Sequence, residues 1–434
     1  MTSIDELIQP TTPRRWWALA AIVMSALVIG LDTTILVTAL PTLSAKLGAT
    51  TSQLQWLSDA YTLALAGLLL PAGVLGDRLG RRRLLLAGLA IFGAASILAS
   101  RMTAAEGLIA MRAVMGVGAA IILPLTISIL PTMFSEQERP RAIAVAAVGT
   151  MLGLPLGPLV AGWLLNSFEW GTIFLINGPV VFLALLGIGF LVPESRDPHA
   201  PRLDWLGGLL AVAGVSALVY GIIDEPQNGW GDPQVLAGLL GGAALLVAFV
   251  AREVRTHAPL VDLRLFLNRR FTWATVAFVI LGFGLTGMLF VLAPYLQIVQ
   301  GNDAQGTGIR LLPMIAAVIA GAVGGDRLAG RLGGRVVIGG GLLVAAGGLV
   351  LLSRVGAASG YELVAAALAA MGLGIGFAMP TAQETILGAL PLSQTGSGTG
   401  LSRSLQQVGA SFGVAVLGSV LNSGYRAALE GHLT

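Results

Sequence analysis

An all-α polytopic membrane fold follows from three observations on this chain of 434 residues. It is 55% hydrophobic and only 11% charged, whereas soluble domains carry about 25% charged residues. Its apolar residues recur in blocks of about 20, the length a helix needs to cross a bilayer. Its basic residues alternate from one side of these blocks to the other, as loops on two faces of a membrane do.

The apolar blocks cover residues 16–41, 53–74, 84–100, 105–132, 142–166 and 172–192. Two more lie at 205–223 and 234–251, and five follow at 271–297, 309–330, 335–353, 361–383 and 400–423. The reading is therefore about thirteen transmembrane helices. Pro124, Pro155, Pro158 and Pro313 fall inside the blocks, which membrane helices tolerate better than soluble ones do. With residues 1–15 placed in the cytoplasm, Lys46, Arg101, Arg310, Arg354 and Arg426 fall outside and Arg112 falls within a span. Every other one of the 25 Lys+Arg then lies at the cytoplasmic side, a strong positive-inside bias. Long cytoplasmic connections at 193–204 and 252–270 bracket the pair 205–251. This divides the chain into a six-helix bundle (16–192), a linker with two extra helices (193–270), a five-helix bundle (271–423) and a tail (424–434).

The first span carries one ionisable group, Asp32, in the run Leu31-Asp32-Thr33-Thr34 that leads to Pro41. A carboxylate at membrane depth costs about 2.5–3.5 kcal/mol on insertion scales, and such residues mark functional sites by default. A structural acid neutralised by a neighbouring helix is the alternative. At 1.5 Å per residue, Asp32 sits roughly 22 Å from the cytoplasmic end of its helix, and Asp59 and Arg112 roughly 9–10 Å below the outer surface. All three share the outer half. An arginine among carboxylates lowers the cost of burying each charge and releases a carboxylate when a proton or cation competes. A purely structural ion pair is again the alternative. Asp32 is read as the protonation and cation-responsive site, Arg112 as its tuning partner and Asp59 as an accessory acid or substrate contact. Trp56, Tyr61 and Asn177 are candidates for lining a cavity, the aromatic faces suiting organic cations; packing or interface anchoring is their other reading.

After the second span comes Gly73-Val74-Leu75-Gly76-Asp77-Arg78-Leu79-Gly80-Arg81-Arg82-Arg83. Its glycines let two helices turn and pack closely. Asp77 can accept hydrogen bonds from a helix N-terminus or from Arg81, a charged latch that can make or break. This pattern resembles the signature loop of the major facilitator superfamily. Arg112–Ala120 is similar to that family's fourth-helix motif, with Met115 where Gln is usual. Gly149, Gly153, Gly157, Pro158 and Gly162 resemble its fifth-helix antiporter motif. Leu31–Pro41, Phe174–Pro179, Tyr295–Gln297 and the insert from Leu203 to Pro259 resemble the 14-helix drug:proton antiporters, with Val37 where Asn is often found. The resemblance implies two six-helix bundles working by alternating access, with proton influx driving export of drugs or other small organic compounds through the cell membrane. It implies small-molecule and proton partners, no cofactor and a monomer in the bilayer. Such relatives end in a fourteenth helix, so the chain is expected to lack the last helix. An inactive truncated copy is therefore an alternative, as is a facilitator or uptake permease for a small metabolite.

Other classes fit poorly. The single lysine, Lys46, follows Ala45, so no Gly-Lys-Ser/Thr phosphate loop exists for an ATP-driven pump. His199, His257 and His432 are too dispersed for a nucleophile–base pair or a metal cluster, which argues against an enzyme and a metal site. The net charge of +3 comes from arginines spread over short loops, not from one basic face that would bind nucleic acid.

Overall fold

The computed structural model describes residues 12–135, 137–196, 204–256, 259–356, 359–390 and 395–433. His199 and His257, the side chain of His432 and the surroundings of Gly149 lie outside the described residues. The first half holds α1 (Thr12–Leu47), α2 (Thr51–Leu79), α3 (Arg81–Ala99), α4 (Ala105–Ser128), α5 (Arg139–Ser167), α6 (Thr172–Leu175) and α7 (Asn177–Leu191). The pair α8 (Trp205–Asn228) and α9 (Pro233–Arg255) follows. Then come α10 (Arg269–Pro294), α11 (Ala304–Arg310), α12 (Leu312–Leu332), α13 (Gly334–Leu352), α14 (Tyr361–Gly388) and α15 (Thr395–Leu433). Among the described residues, twelve segments are long and apolar enough to cross a membrane, the shortest of 19 residues. At 1.5 Å per residue even that one matches the roughly 30 Å hydrocarbon core. The 29-residue α5 lies alongside α1.

Local chemistry sets the boundaries where hydropathy alone misplaces them. The apolar block at 309–330 begins earlier as a helix, because the Asp303 carboxylate accepts the Gly306 N–H at 2.6 Å and starts α11. That bond, with the Asn166 amide next, holds the Asp303 carboxyl below the usual carboxylate range. Thr50 and Gln53 form a reciprocal capping box at the start of α2, satisfying donors that a helix start leaves free. A π turn over Tyr295–Val299 ends the segment begun by α10. The stretch 424–433, expected as a tail, continues α15 as helix.

One large apolar cluster joins α1–α7 and takes in Phe290 and Val414 from the second half. There, α10 packs on α15, and α14 lies against α12 and α13. The insert packs α8 on α9 and sets α8 against both α2 and α15. Its outward face is bare and apolar, with Leu240, Val247, Val250 and Val254 exposed on α9, as suits a lipid-facing helix.

A charged clamp holds the insert where its two helices meet at one end. The buried Asp204 carboxylate caps α8 through the Gly207 N–H (3.0 Å) and accepts from Arg252 Nε at 2.8 Å. Arg252 foremost, opposed by burial and helped by the Gly207 N–H, holds the Asp204 carboxyl below its usual value. The Asp204 contribution is therefore complete above the unfolded value of about 3.9 and lost as pH falls through the lower folded value. Thermal unfolding in detergent should show Asp204→Asn a few degrees less stable at neutral pH, the gap closing as the medium is acidified below about pH 4. A gap that is constant with pH would mean that the pair is not the source.

Candidate functional site

The three charges placed at similar depth do not form one cluster. Asp32 on α1 and Arg112 on α4 are 3% and 2% exposed and meet at 2.5 Å between Oδ2 and Nη1. Arg112 Nε donates to the Leu57 carbonyl on α2 at 3.0 Å, and its guanidinium lies 4.2 Å over the Tyr61 ring. Leu57 and Tyr61 are four apart on one helix face, so α2 supplies both a carbonyl and an aromatic plane to one cation. The close approach of α2 and α4 depends on Gly116: a Cβ there would stand 2.4 Å from the Tyr61 carbonyl oxygen. The second oxygen of Asp32 accepts from Asn177 Nδ2 at 3.4 Å. Asn177 also donates to Ser96 Oγ at 2.9 Å, and Ser96 to the Phe174 carbonyl at 2.9 Å. The result is an electrically balanced, buried pair touched by α1, α2, α4 and α7.

Asp59 points elsewhere. It is fully buried, and Oδ1 accepts from Ser411 Oγ of α15 at 2.8 Å while Oδ2 has no hydrogen-bond partner. One turn before it, Gln55 donates to the Ala415 carbonyl at 2.9 Å and to Ser419 Oγ at 3.3 Å. Depth counting is blind to azimuth: residues 57 and 59 lie about 200° apart around a helix. Asp59 therefore faces the second half while its neighbours hold Arg112. Trp56 likewise turns to the insert, its ring 6.4 Å from that of Tyr220. Of the three cavity candidates, Tyr61 and Asn177 are brought to the Asp32–Arg112 pair and Trp56 is not.

The glycine-rich loop lies at the end of the helices where Arg14, Arg15 and Arg78–Arg83 gather, here called the basic end. Arg81 Nε meets Asp77 Oδ1 at 2.8 Å, and the Arg81 N–H donates to the Ser195 carbonyl at 2.8 Å. The Arg82 guanidinium donates to the Gly189 carbonyl at the end of α7. Arg78 is exposed, and Gly73 sits at ordinary contact distance, 3.8 Å, from Pro124. Gly80 has φ +113°, a conformation open to glycine, and a Cβ there would stand 2.8 Å from Glu194. That carboxylate accepts from the backbone N–H groups of Arg82 and Arg83 at 3.1 and 3.2 Å, capping the start of α3. Sequence reasoning missed Glu194; the signal was an acid two residues after a span, opposite a helix start rich in arginine.

Helix α5 uses its glycines on two partners. A Cβ at Gly153 would come within 2.5 Å of the α1 backbone at Gly30 and Leu31, and one at Gly157 would meet Thr34. Further along, Pro158 and Gly162 touch the second half: the Pro158 carbonyl faces Gly308, and Gly162 abuts Gln305. Asn166 donates to Asp303 at 2.7 Å and Gln297 to the Thr38 carbonyl at 2.8 Å. These contacts join the two halves at the end opposite the basic one. Along α15, residues 403, 407, 410 and 414 share one face. Val414 is buried in the first-half cluster, Ala410 is buried, Gln407 is half-buried and Arg403 is exposed. Exposure along this face therefore rises from Val414 toward the basic end.

Comparison with known proteins assigns this architecture. Residues 22–414 match the family model of the Major Facilitator Superfamily. The chain is 35% identical to the puromycin resistance protein pur8 of Streptomyces alboniger, over 98% of this chain and 86% of that protein. It is 34% identical to the multidrug efflux pump LfrA of Mycolicibacterium smegmatis, over 97% and 83%. In fold it resembles a bacterial homologue of the human lysosomal transporter Spinster, crystallised inward-facing and unoccupied, with a TM-score of 0.67, 16% identity and coverage of 98% and 85%. The family comprises transporters, not enzymes. This chain belongs to the Major Facilitator Superfamily, as a multi-pass membrane transporter related to drug-efflux proteins.

Proposed function

We propose that the protein is a proton-coupled exporter of small organic compounds, working by alternating access between an N-terminal bundle (16–192) and a C-terminal one (271–423). The observation that carries this is the buried Asp32–Arg112 pair, with Asn177 on the second Asp32 oxygen and Tyr61 beneath the guanidinium. A proton arriving on Asp32 cancels its charge and weakens its hold on Arg112, so occupancy by a proton and strength of the α1–α4 contact are linked. Asp59 is an accessory acid at the α2–α15 interface, where the bundles slide or part. The basic end is assigned to the cytoplasm by its arginines, giving thirteen spans with α5 included. In that frame the contacts of α5 with α11 close the outer end, and Asp77–Arg81 is the latch on the inner side. Export is supported by the relatedness to efflux proteins. The insert at 193–270 acts as a brace beside α2 and α15.

The test is exchange in inside-out vesicles carrying the full chain, acidified within. Addition of a flat dye, tested as cationic ethidium and as anionic fluorescein, should cause dye uptake together with proton release from the lumen. Dye uptake that is indifferent to the proton gradient would rule out coupling.

A further inference from the structure

We propose that Arg403, with Gln383, Gln406 and Phe278, forms a cargo-recognition site in the second half that selects aromatic compounds bearing a carboxylate, phenolate or comparable acceptor. The inference rests on the reading of the space between the halves as the transport route. Arg403 sits roughly 12 Å along α15 from its start, exposed on the face whose outer members, Ala410 and Val414, are buried. In this proposal that face is turned to the space between the halves, flanked by Gln383 of α14 and Phe278 of α10. Its neighbour Ser404, on the adjoining face, donates to the Ala66 carbonyl of α2, which fixes the rotation of α15 toward the first half.

The surroundings of Arg403 are neutral. Nη2 donates to Gln383 Oε1 of α14 at 2.7 Å and Nη1 to Gln406 Oε1 at 3.4 Å, and the guanidinium lies 5.3 Å from the centre of the Phe278 ring on α10. Among the described residues no carboxylate lies within ion-pair distance of it. Glu384 follows Gln383 but projects about 100° further round the helix. By contrast, Arg112 is neutralised by Asp32 and Arg81 by Asp77. So this face of α15 carries a guanidinium with no ion-pair partner among the described residues, inside a membrane-spanning helix, where such a charge is expensive.

The hydrogen-bond inventory of this cluster is one-sided. Both glutamine carbonyls are turned to the arginine, which leaves their amide N–H groups and the remaining guanidinium N–H groups as donors. A site made of donors and one positive charge, beside an aromatic ring, binds a flat molecule with a charged or strongly polar acceptor. It disfavours a cation by direct repulsion, which low-dielectric surroundings strengthen.

The experiment uses the full chain in nanodiscs and fluorescence polarisation of two flat dyes, anionic fluorescein and cationic ethidium, without a proton gradient. Wild type should bind fluorescein, and added salt should weaken that binding. Arg403→Gln should weaken fluorescein binding by about tenfold or more and leave ethidium binding unchanged or tighter. Arg403→Lys, which keeps the charge and loses the planar fork, should fall between. Gln383→Ala tests the same site without removing the charge and should weaken fluorescein binding severalfold. Absence of fluorescein binding to wild type, or equal effects of Arg403→Gln on both dyes, overturns the proposal. Because binding is read with no gradient, failure of proton coupling appears only in the vesicle assay and is distinguishable from failure here.

Discussion

Asp32→Asn is expected to reduce proton-driven exchange to the level of vesicles lacking the protein, while the helices remain assembled. Asparagine keeps the shape of aspartate and one oxygen able to accept from Arg112 Nη1, but it takes up no proton in the working pH range. Arg112 would retain the Leu57 carbonyl and the Tyr61 face, so it loses one charge-assisted bond and not its whole setting. Removing the counter-charge of a buried guanidinium costs about 3–5 kcal/mol, offset in part by the hydrogen bonds that the asparagine oxygen and the Leu57 carbonyl keep to it. Coupling and folding are therefore read separately. Thermal unfolding in detergent reports the second, and dye-linked proton release the first. Wild-type exchange rates in Asp32→Asn would remove Asp32 from the proton path.

Gly153→Ala is expected to damage both stability and transport, although alanine is the better helix former by about 1 kcal/mol. Its Cβ would stand 2.5 Å from backbone atoms of Gly30 and Leu31, and backbone cannot rotate away as a side chain can. Helices α1 and α5 must then separate, which also pulls at Thr34, whose hydroxyl lies 3.4 Å from the Gly153 carbonyl, and shifts the helix that carries Asp32. Overpacking of this kind costs about 1–3 kcal/mol. Gly347→Ala is the control: nothing lies within 4 Å of its Cβ position, so it should be neutral or slightly stabilising. If both alanines unfold at the same temperature as wild type, the close α1–α5 contact is not needed.

The legible and illegible parts of this protein divide along a physical line. Spans were readable because crossing hydrocarbon demands long apolar runs, and the alternation of arginines limits how they are threaded. Helix breaks were less so: α11 starts at a cap supplied by Asp303, in a stretch too polar to register as membrane-spanning. The same holds for Glu194, which a motif search passes over because its hydrogen bonds come from backbone N–H groups.

For the site, sequence spacing gave Asp32, Asp59 and Arg112 a common height, since rise per residue is constant. It could not say which way each side chain turns relative to helices distant in the chain. From the amino-acid sequence alone came the membrane class, twelve of the thirteen expected spans among the described residues and the suspicion attached to a carboxylate in the first span. Only the tertiary structure decided that Asp32 takes Arg112 and Asn177 while Asp59 takes Ser411, and that Arg403 is set among Gln383, Gln406 and Phe278. Apolar thickness is a local property of a segment. The pairing of buried charges depends on helix rotation, which small residues such as Gly153 and Gly116 set through contacts between segments far apart in sequence.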